Sequence, residues 1–226
     1  GAISVAITND DTSPSAQTAS ATLPICAGPE LSVAATKTFV TSLVAGLWLI
    51  AELKGNTELL AAIRTLPQHL EAATMCDWTM AANAIGGKSV LTLGRGPSFA
   101  ISNEAALKFK ETCQIHAESY SSAEVMHGPV SIVERGFPVI CFAAGDAAQQ
   151  SVVDVADALT EKGALAFVTS ASAKKAICLP HQRTDHWLTD PISSAVSFYA
   201  MVEKLSTARQ INPDAPRHLN KVTQTV

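Results

Sequence analysis

The feature that most constrains this chain is an alternation between Ser89 and Arg209. Short apolar runs (89–93, 138–142, 165–169 and 176–179) are separated or followed by amphipathic stretches, among them 98–114, 147–162 and 191–209. Strands joined through helices of ten or more residues pair in parallel, because a parallel neighbour can only be reached by a crossover. The sheet that results needs helices on both faces. The prediction is an α/β fold with a mostly parallel sheet.

The residues before this alternation read differently. Ile3 to Ile7 is a β-branched run closed by a polar turn, with a polar loop over 12–18 and a second strand around Leu23 to Cys26. A long helix is predicted from Ser32 to Lys54, its apolar stripe carried by Phe39, Leu43, Leu47 and Ile50 and widened by Trp48 and Leu53. Two strands and one helix do not complete an α/β layer. Residues 1–55 are therefore expected to be the C-terminal remainder of one unit, exposing a sheet edge and an apolar helix face, with 56–210 a complete second unit. Residues 56–86 read as two helices broken at Leu66-Pro67, and the polar stretch 211–226 as a tail.

Composition narrows the classes of function. Hydrophobic residues make up 47% of the chain and charged residues 16%, a globular balance. A net charge of −4 with scattered basic residues gives no footprint for nucleic acid. Five widely spaced cysteines without a CxxC pair argue against a disulfide framework or a zinc site and fit a reducing, cytoplasmic setting. Cys26, Cys141 and Cys178 fall in apolar runs and are expected to pack as small hydrophobes. The longest apolar run, Val44 to Ala51, is shorter than the roughly 18 residues of a bilayer span, so no membrane association is expected.

The chemistry concentrates between Gly94 and Pro129. Glu104, Lys108 and Glu111 stand at i, i+4 and i+7 of a predicted helix and share one side of it. That spacing fits a solvated helix face laced by ion pairs. It also fits a general base held beside a lysine at the mouth of the sheet, and His116, Glu118 and His127 follow closely. His127-Gly128-Pro129 is a turn by composition, and its imidazole suits either a packing role or proton transfer to sugar hydroxyls. Lys221 is either an exposed side chain on the tail or an amine that condenses with a carbonyl. Gly94-Arg95-Gly96 opens a dinucleotide fingerprint that Phe99 leaves incomplete, which opposes a nucleotide-cofactor enzyme.

Four blocks together carry a resemblance. They are Ala27-Gly28-Pro29-Glu30 with Val33 to Lys37; Leu93 to Gly96; Glu104 through Glu118 with His127-Gly128-Pro129; and Asp214 through Lys221. In this order the chain resembles the sugar isomerase (SIS) domain family, most closely the isomerase half of the glutamine–fructose-6-phosphate aminotransferases and the related glucosamine-6-phosphate deaminases. The resemblance implies a three-layer, flavodoxin-like fold with two SIS subdomains per unit, a homodimer, a sugar-phosphate substrate such as fructose 6-phosphate or glucosamine 6-phosphate, and neither metal nor cofactor. It places Glu111 as the base between C1 and C2, Lys108 as its helper, His127 as the ring-opening residue reaching across from a partner subunit, and Lys221 as the Schiff-base lysine. Val33, Asn220 and Glu104 fall at substrate-binding positions. The family's phosphate-binding serine/threonine loop has no counterpart here. The chain is therefore expected to be a truncated member that binds sugar phosphate weakly and turns over little. A non-catalytic sugar-phosphate sensor is the alternative, though a sensor has no chemical use for Lys108, Glu111, His127 and Lys221.

Overall fold

The computed structural model describes residues 1–87 and 89–221. Strand β1 (Val5–Thr8) pairs in parallel with β2 (Ala21–Pro24) as a two-stranded sheet. The segment between them, expected as loop, holds a one-turn helix α1 (Pro14–Thr18). Its start combines Ser13, whose hydroxyl accepts from the Ala16 N–H, with Pro14 in the first turn.

Helix α2 (Lys37–Lys54) begins five residues later than the hydropathy suggested and ends on Gly55 in the left-handed region. Its far side leaves Trp48, Ile50 and Leu53 exposed. Helix α3 (Thr57–Thr74) does not break at Pro67. The missing N–H costs one helical bond, but Leu59, Ala62, Ile63, Leu66 and Ala73 are buried along one face, and their burial outweighs about 3 kcal/mol of proline penalty. The short α4 (Thr79–Ala84) follows.

The main sheet is built from β3 (Ser89–Gly94), β4 (His116–Ser121), β5 (Pro138–Phe142), β6 (Leu165–Val168) and β7 (Ile177–Cys178), in spatial order β4-β3-β5-β6-β7. Every pairing is parallel. Helix α5 (Pro97–Cys113) connects β3 to β4, α6 (Gln149–Glu161) connects β5 to β6, and α7 (Asp190–Ala208) closes the unit. This is the flavodoxin-like order, in which the chain leaves β3 in one direction and returns on its other side.

Side chains alternate across the sheet as strand geometry demands. Val90, Ile140, Phe142 and Phe167 pack against α4, α5 and α7, around Trp78, Phe109 and Phe198. Leu91, Leu93, Val139, Cys141 and Val168 face α6 through Val152, Val153, Ala156 and Leu159. Three layers result. Cys113 and Cys141 are buried, whereas Cys26 and Cys178 are exposed, contrary to the expectation from their apolar neighbours, because both lie where strands end. Among the described residues no helix is long and apolar enough to cross a membrane.

Candidate active site

In a flavodoxin-like sheet the usual ligand crevice lies outside the strand C-termini on either side of β3. Here that crevice is stitched by the protein's own groups. The Gly145 N–H donates to Asp190 Oδ2 (2.7 Å), and Arg183 donates to Asp190 and to the carbonyls of Ala143 (2.8 Å) and Thr169 (2.9 Å). Gly94 serves packing: a Cβ there would sit 2.4 Å from the Ser98 carbonyl oxygen. The glycine turn sets how closely α5 approaches β3, and the mouth of the sheet, where the sequence suggested a base, is not where the acids and lysine gather.

They gather one layer out, on the face of α5 that looks toward α7 and the start of α2. Lys108 Nζ lies 2.8 Å from Glu111 Oε2 and 3.1 Å from Glu104 Oε1. The stripe is not a solvated face. Side-chain exposure is 3% for Lys108, 7% for Glu104 and 19% for Glu111. One buried ammonium between two carboxylates is tolerable because each charge finds an opposite charge with hydrogen-bond geometry. Tyr199 of α7 donates its hydroxyl to Glu104 Oε1 at 2.6 Å. Burial, reinforced by the Glu104 carboxylate, pushes the Tyr199 phenol far above its ordinary pKa, so it acts as a fixed donor. Nothing in the sequence around Tyr199 pointed to this role.

Lys108 and Tyr199 open onto a cleft of about 720 Å³ whose wall also includes Ser32, Lys37, Thr112 and Asp214. A cleft of this size accommodates a small-molecule ligand. Two irregular segments close it. The Val33 N–H donates to the Asp214 carbonyl (3.3 Å) and the Ser32 hydroxyl to Asp214 Oδ1 (2.5 Å). Lys221 donates to the Ser32 carbonyl (2.7 Å) and lies 3.5 Å from Glu30 Oε2. The fold thus brings Glu104, Lys108, Glu111, Val33 and Lys221 into one neighbourhood from three separate stretches of chain, with Lys108 in the cleft wall and the other four beside it. Asn220 is exposed next to Lys221. His127 is exposed on a 3-10 turn (Val125–His127) and is not part of the cleft wall. His116 pairs with Ser89 and Glu118 with Tyr120, so neither joins the site.

The class defined by the fold and the site is a three-layer, flavodoxin-like α/β protein with a buried acid–lysine–acid array beside a cleft. The chain belongs to the SIS domain family, whose pattern it matches over residues 85–211. It is 32% identical to a glutamine–fructose-6-phosphate aminotransferase (isomerizing) of Sulfolobus acidocaldarius over 98% of its own length and 38% of that relative. The corresponding enzyme of Corynebacterium glutamicum is 31% identical, with 98% and 39% covered. The chain spans about two fifths of these relatives. Among solved structures, a provisionally named phosphosugar isomerase of Silicibacter pomeroyi superposes with a TM-score of 0.92 at 58% identity, covering 95% of this chain and 66% of that one. The C-terminal domain of glucosamine-fructose-6-phosphate aminotransferase from Francisella tularensis gives 0.78 at 24% identity, with 94% and 65% covered, a likeness of fold.

Proposed function

We propose that this chain carries the isomerase chemistry of an amino-sugar phosphate enzyme, interconverting fructose 6-phosphate and glucosamine 6-phosphate through ketose–aldose isomerisation, with amino transfer or deamination. The observation that carries the reading is the desolvated Glu104–Lys108–Glu111 array beside the cleft. Glu111 is the most exposed of the three, and the hydrogen bond from Lys108 falls on its Oε2. Its Oε1, without a hydrogen-bond partner among the described residues, is the atom that takes a proton from one sugar carbon and returns it to the next. Lys108, held between the two carboxylates, stabilises negative charge on the enediol oxygen.

Lys221 supplies the covalent step. Its nitrogen bonds to C2 of the open ketose, the C2 oxygen leaves as water with two protons from that nitrogen, and the iminium acidifies the C1 hydrogens. Val33 and Asn220 offer main-chain contacts beside it. His127 opens the sugar ring of the site on a partner subunit, which makes the working unit a homodimer.

Deuterium exchange into fructose 6-phosphate in D₂O, followed by proton NMR, tests this, because exchange registers single proton transfers even where net turnover is small. The chain is expected to exchange one C1 hydrogen above the buffer blank, and Glu111→Gln to slow this by about 10²-fold or more. Undiminished exchange in Glu111→Gln removes Glu111 from the base role. Binding of the sugar phosphate with no exchange in the unaltered chain makes the protein a sugar-phosphate sensor instead.

A further inference from the structure

Glu30 belongs to no helix or strand, yet only 6% of its side chain is exposed. Its Oε1 accepts the backbone N–H groups of Thr36 (3.0 Å) and Thr38 (3.3 Å), and its Oε2 accepts the Thr38 hydroxyl (2.5 Å). These are the orphan donors at the start of α2, whose own cap residue, Thr36, makes no side-chain cap bond. A carboxylate from upstream therefore does the capping, favoured also by the helix dipole. Burial alone would raise the Glu30 pKa. The Thr38 and Thr36 hydrogen bonds and the Lys221 ammonium outweigh it and hold the carboxyl at about 2.

The fixed carboxylate has one further neighbour, Lys221 at 3.5 Å, and the same lysine donates to the Ser32 carbonyl at 2.7 Å. With the Ser32 and Val33 bonds to Asp214, residues 30–33 and the tail are tied at four points across almost the whole length of the chain. We infer that Glu30 is a positioning residue for Lys221, the anchor that delivers the amine of the tail to the cleft mouth beside Val33. The inference rests on the proposed function for the use made of that amine, but the anchoring itself does not. Because Glu30 is locked to the first turn of α2 by three hydrogen bonds, the lysine is held against a rigid element although its own segment has no regular structure. It must leave Glu30 and give up a proton before its nitrogen can attack C2, so the contact sets the starting geometry of the attack and takes no part in the bond changes.

Glu30→Gln separates charge from structure, since its amide oxygen still accepts from Thr36 and Thr38 while the charge on Lys221 goes unanswered. Two readouts at pH 8 should move in opposite directions. Trace acetylation of Lys221 by acetic anhydride, read by peptide mass spectrometry against Lys54 and Lys174, should rise about three- to tenfold as the amine is released. The adduct of fructose 6-phosphate trapped on Lys221 by cyanoborohydride should fall about tenfold as the amine loses its place. Thr38→Val, which weakens the cap and keeps the charge, should lower thermal stability and leave Lys221 acetylation unchanged. Deuterium uptake of residues 214–221 should rise equally in Glu30→Gln and Lys221→Met, with no further rise in the double variant. Unchanged Lys221 acetylation in Glu30→Gln, or additive uptake in the double variant, overturns the positioning role. Acetylation that rises as expected, with no trapped adduct in the unaltered chain, supports the anchor and overturns the imine step of the proposed function.

Discussion

The two halves of the site are held by different physics. Glu104, Lys108 and Glu111 stand on a seventeen-residue helix backed by an edge-on Phe109–Phe198 contact, with ring centroids 5.2 Å apart. The other half comes from irregular chain, where Cys26, Gly28, Gln210 and His218 all take positive φ and Lys221 is 38% exposed. The helix-borne groups are rigid and desolvated, so their charges survive only by compensating one another. Among the loop-borne groups Lys221 is wetter, although Glu30 is as buried as the helix acids, and they are placed by a few hydrogen bonds from irregular chain. On the proposed reading, proton transfer falls to the first half, which must not move, and covalent capture and ring opening to the second, which must.

Removing the shared cation is the severest test of that contrast. Lys108→Met leaves two carboxylates buried side by side, and equilibrium unfolding in urea should show a loss of about 3–5 kcal/mol. A loss below about 1 kcal/mol would mean that water reaches the stripe and that the helix half is no more desolvated than the loops.

The loop half should show its own, smaller electrostatic signature through Glu30. Its carboxyl is held at about 2, against an ordinary value of 4.5. A folded-state pKa below the unfolded one means the stabilisation is fully present above about pH 4.5 and is lost as pH falls toward 2. Its size is on the order of 2–3 kcal/mol. Unfolding curves of the unaltered chain and Glu30→Gln should therefore be separated at pH 6, with the gap about halved at pH 3 and closing toward pH 2. Curves that stay parallel would assign Glu30 no titrating role in holding the loops.

The contrast also explains what the sequence could disclose. Strand–helix alternation follows from hydropathy within a few residues, and Pro138–Phe142 is a strand with the limits its apolar run gives. Local capping is harder to see: Ser13-Pro14 makes a helix where composition suggests loop, and the apolar face around Ile63 and Leu66 carries α3 through Pro67. The spacing of Glu104, Lys108 and Glu111 is legible but its meaning is not, since a solvated ladder and a buried array share the same periods. Only the partner decides, and Tyr199 lies 95 residues away in sequence. Glu30 is hidden for a related reason. With a helix beginning at Ser32 it would have no obvious task, whereas the observed start at Lys37 leaves a loop that lets it fold back onto Thr36 and Thr38.

The smallest effect on stability is expected at His127, and it says most about assembly. The residue is exposed on its turn and accepts or donates no side-chain bond among the described residues, so His127→Ala should change unfolding free energy by less than about 0.5 kcal/mol. On the proposed reading it should nevertheless slow exchange on fructose 6-phosphate, which is mostly cyclic. It should spare 5-deoxyfructose 6-phosphate, which has no hydroxyl with which to close a ring. If the imidazole serves the partner's site, mixing His127→Ala with Glu111→Gln chains restores exchange. Random pairing makes about half the dimers mixed, each with one site that has both groups intact, so recovery should approach about a quarter of the unaltered rate. No recovery on mixing would place His127 and Glu111 in the same subunit's chemistry. The turn would then have to swing into the cleft of its own chain, and the loop half would be more mobile than its hydrogen bonds suggest.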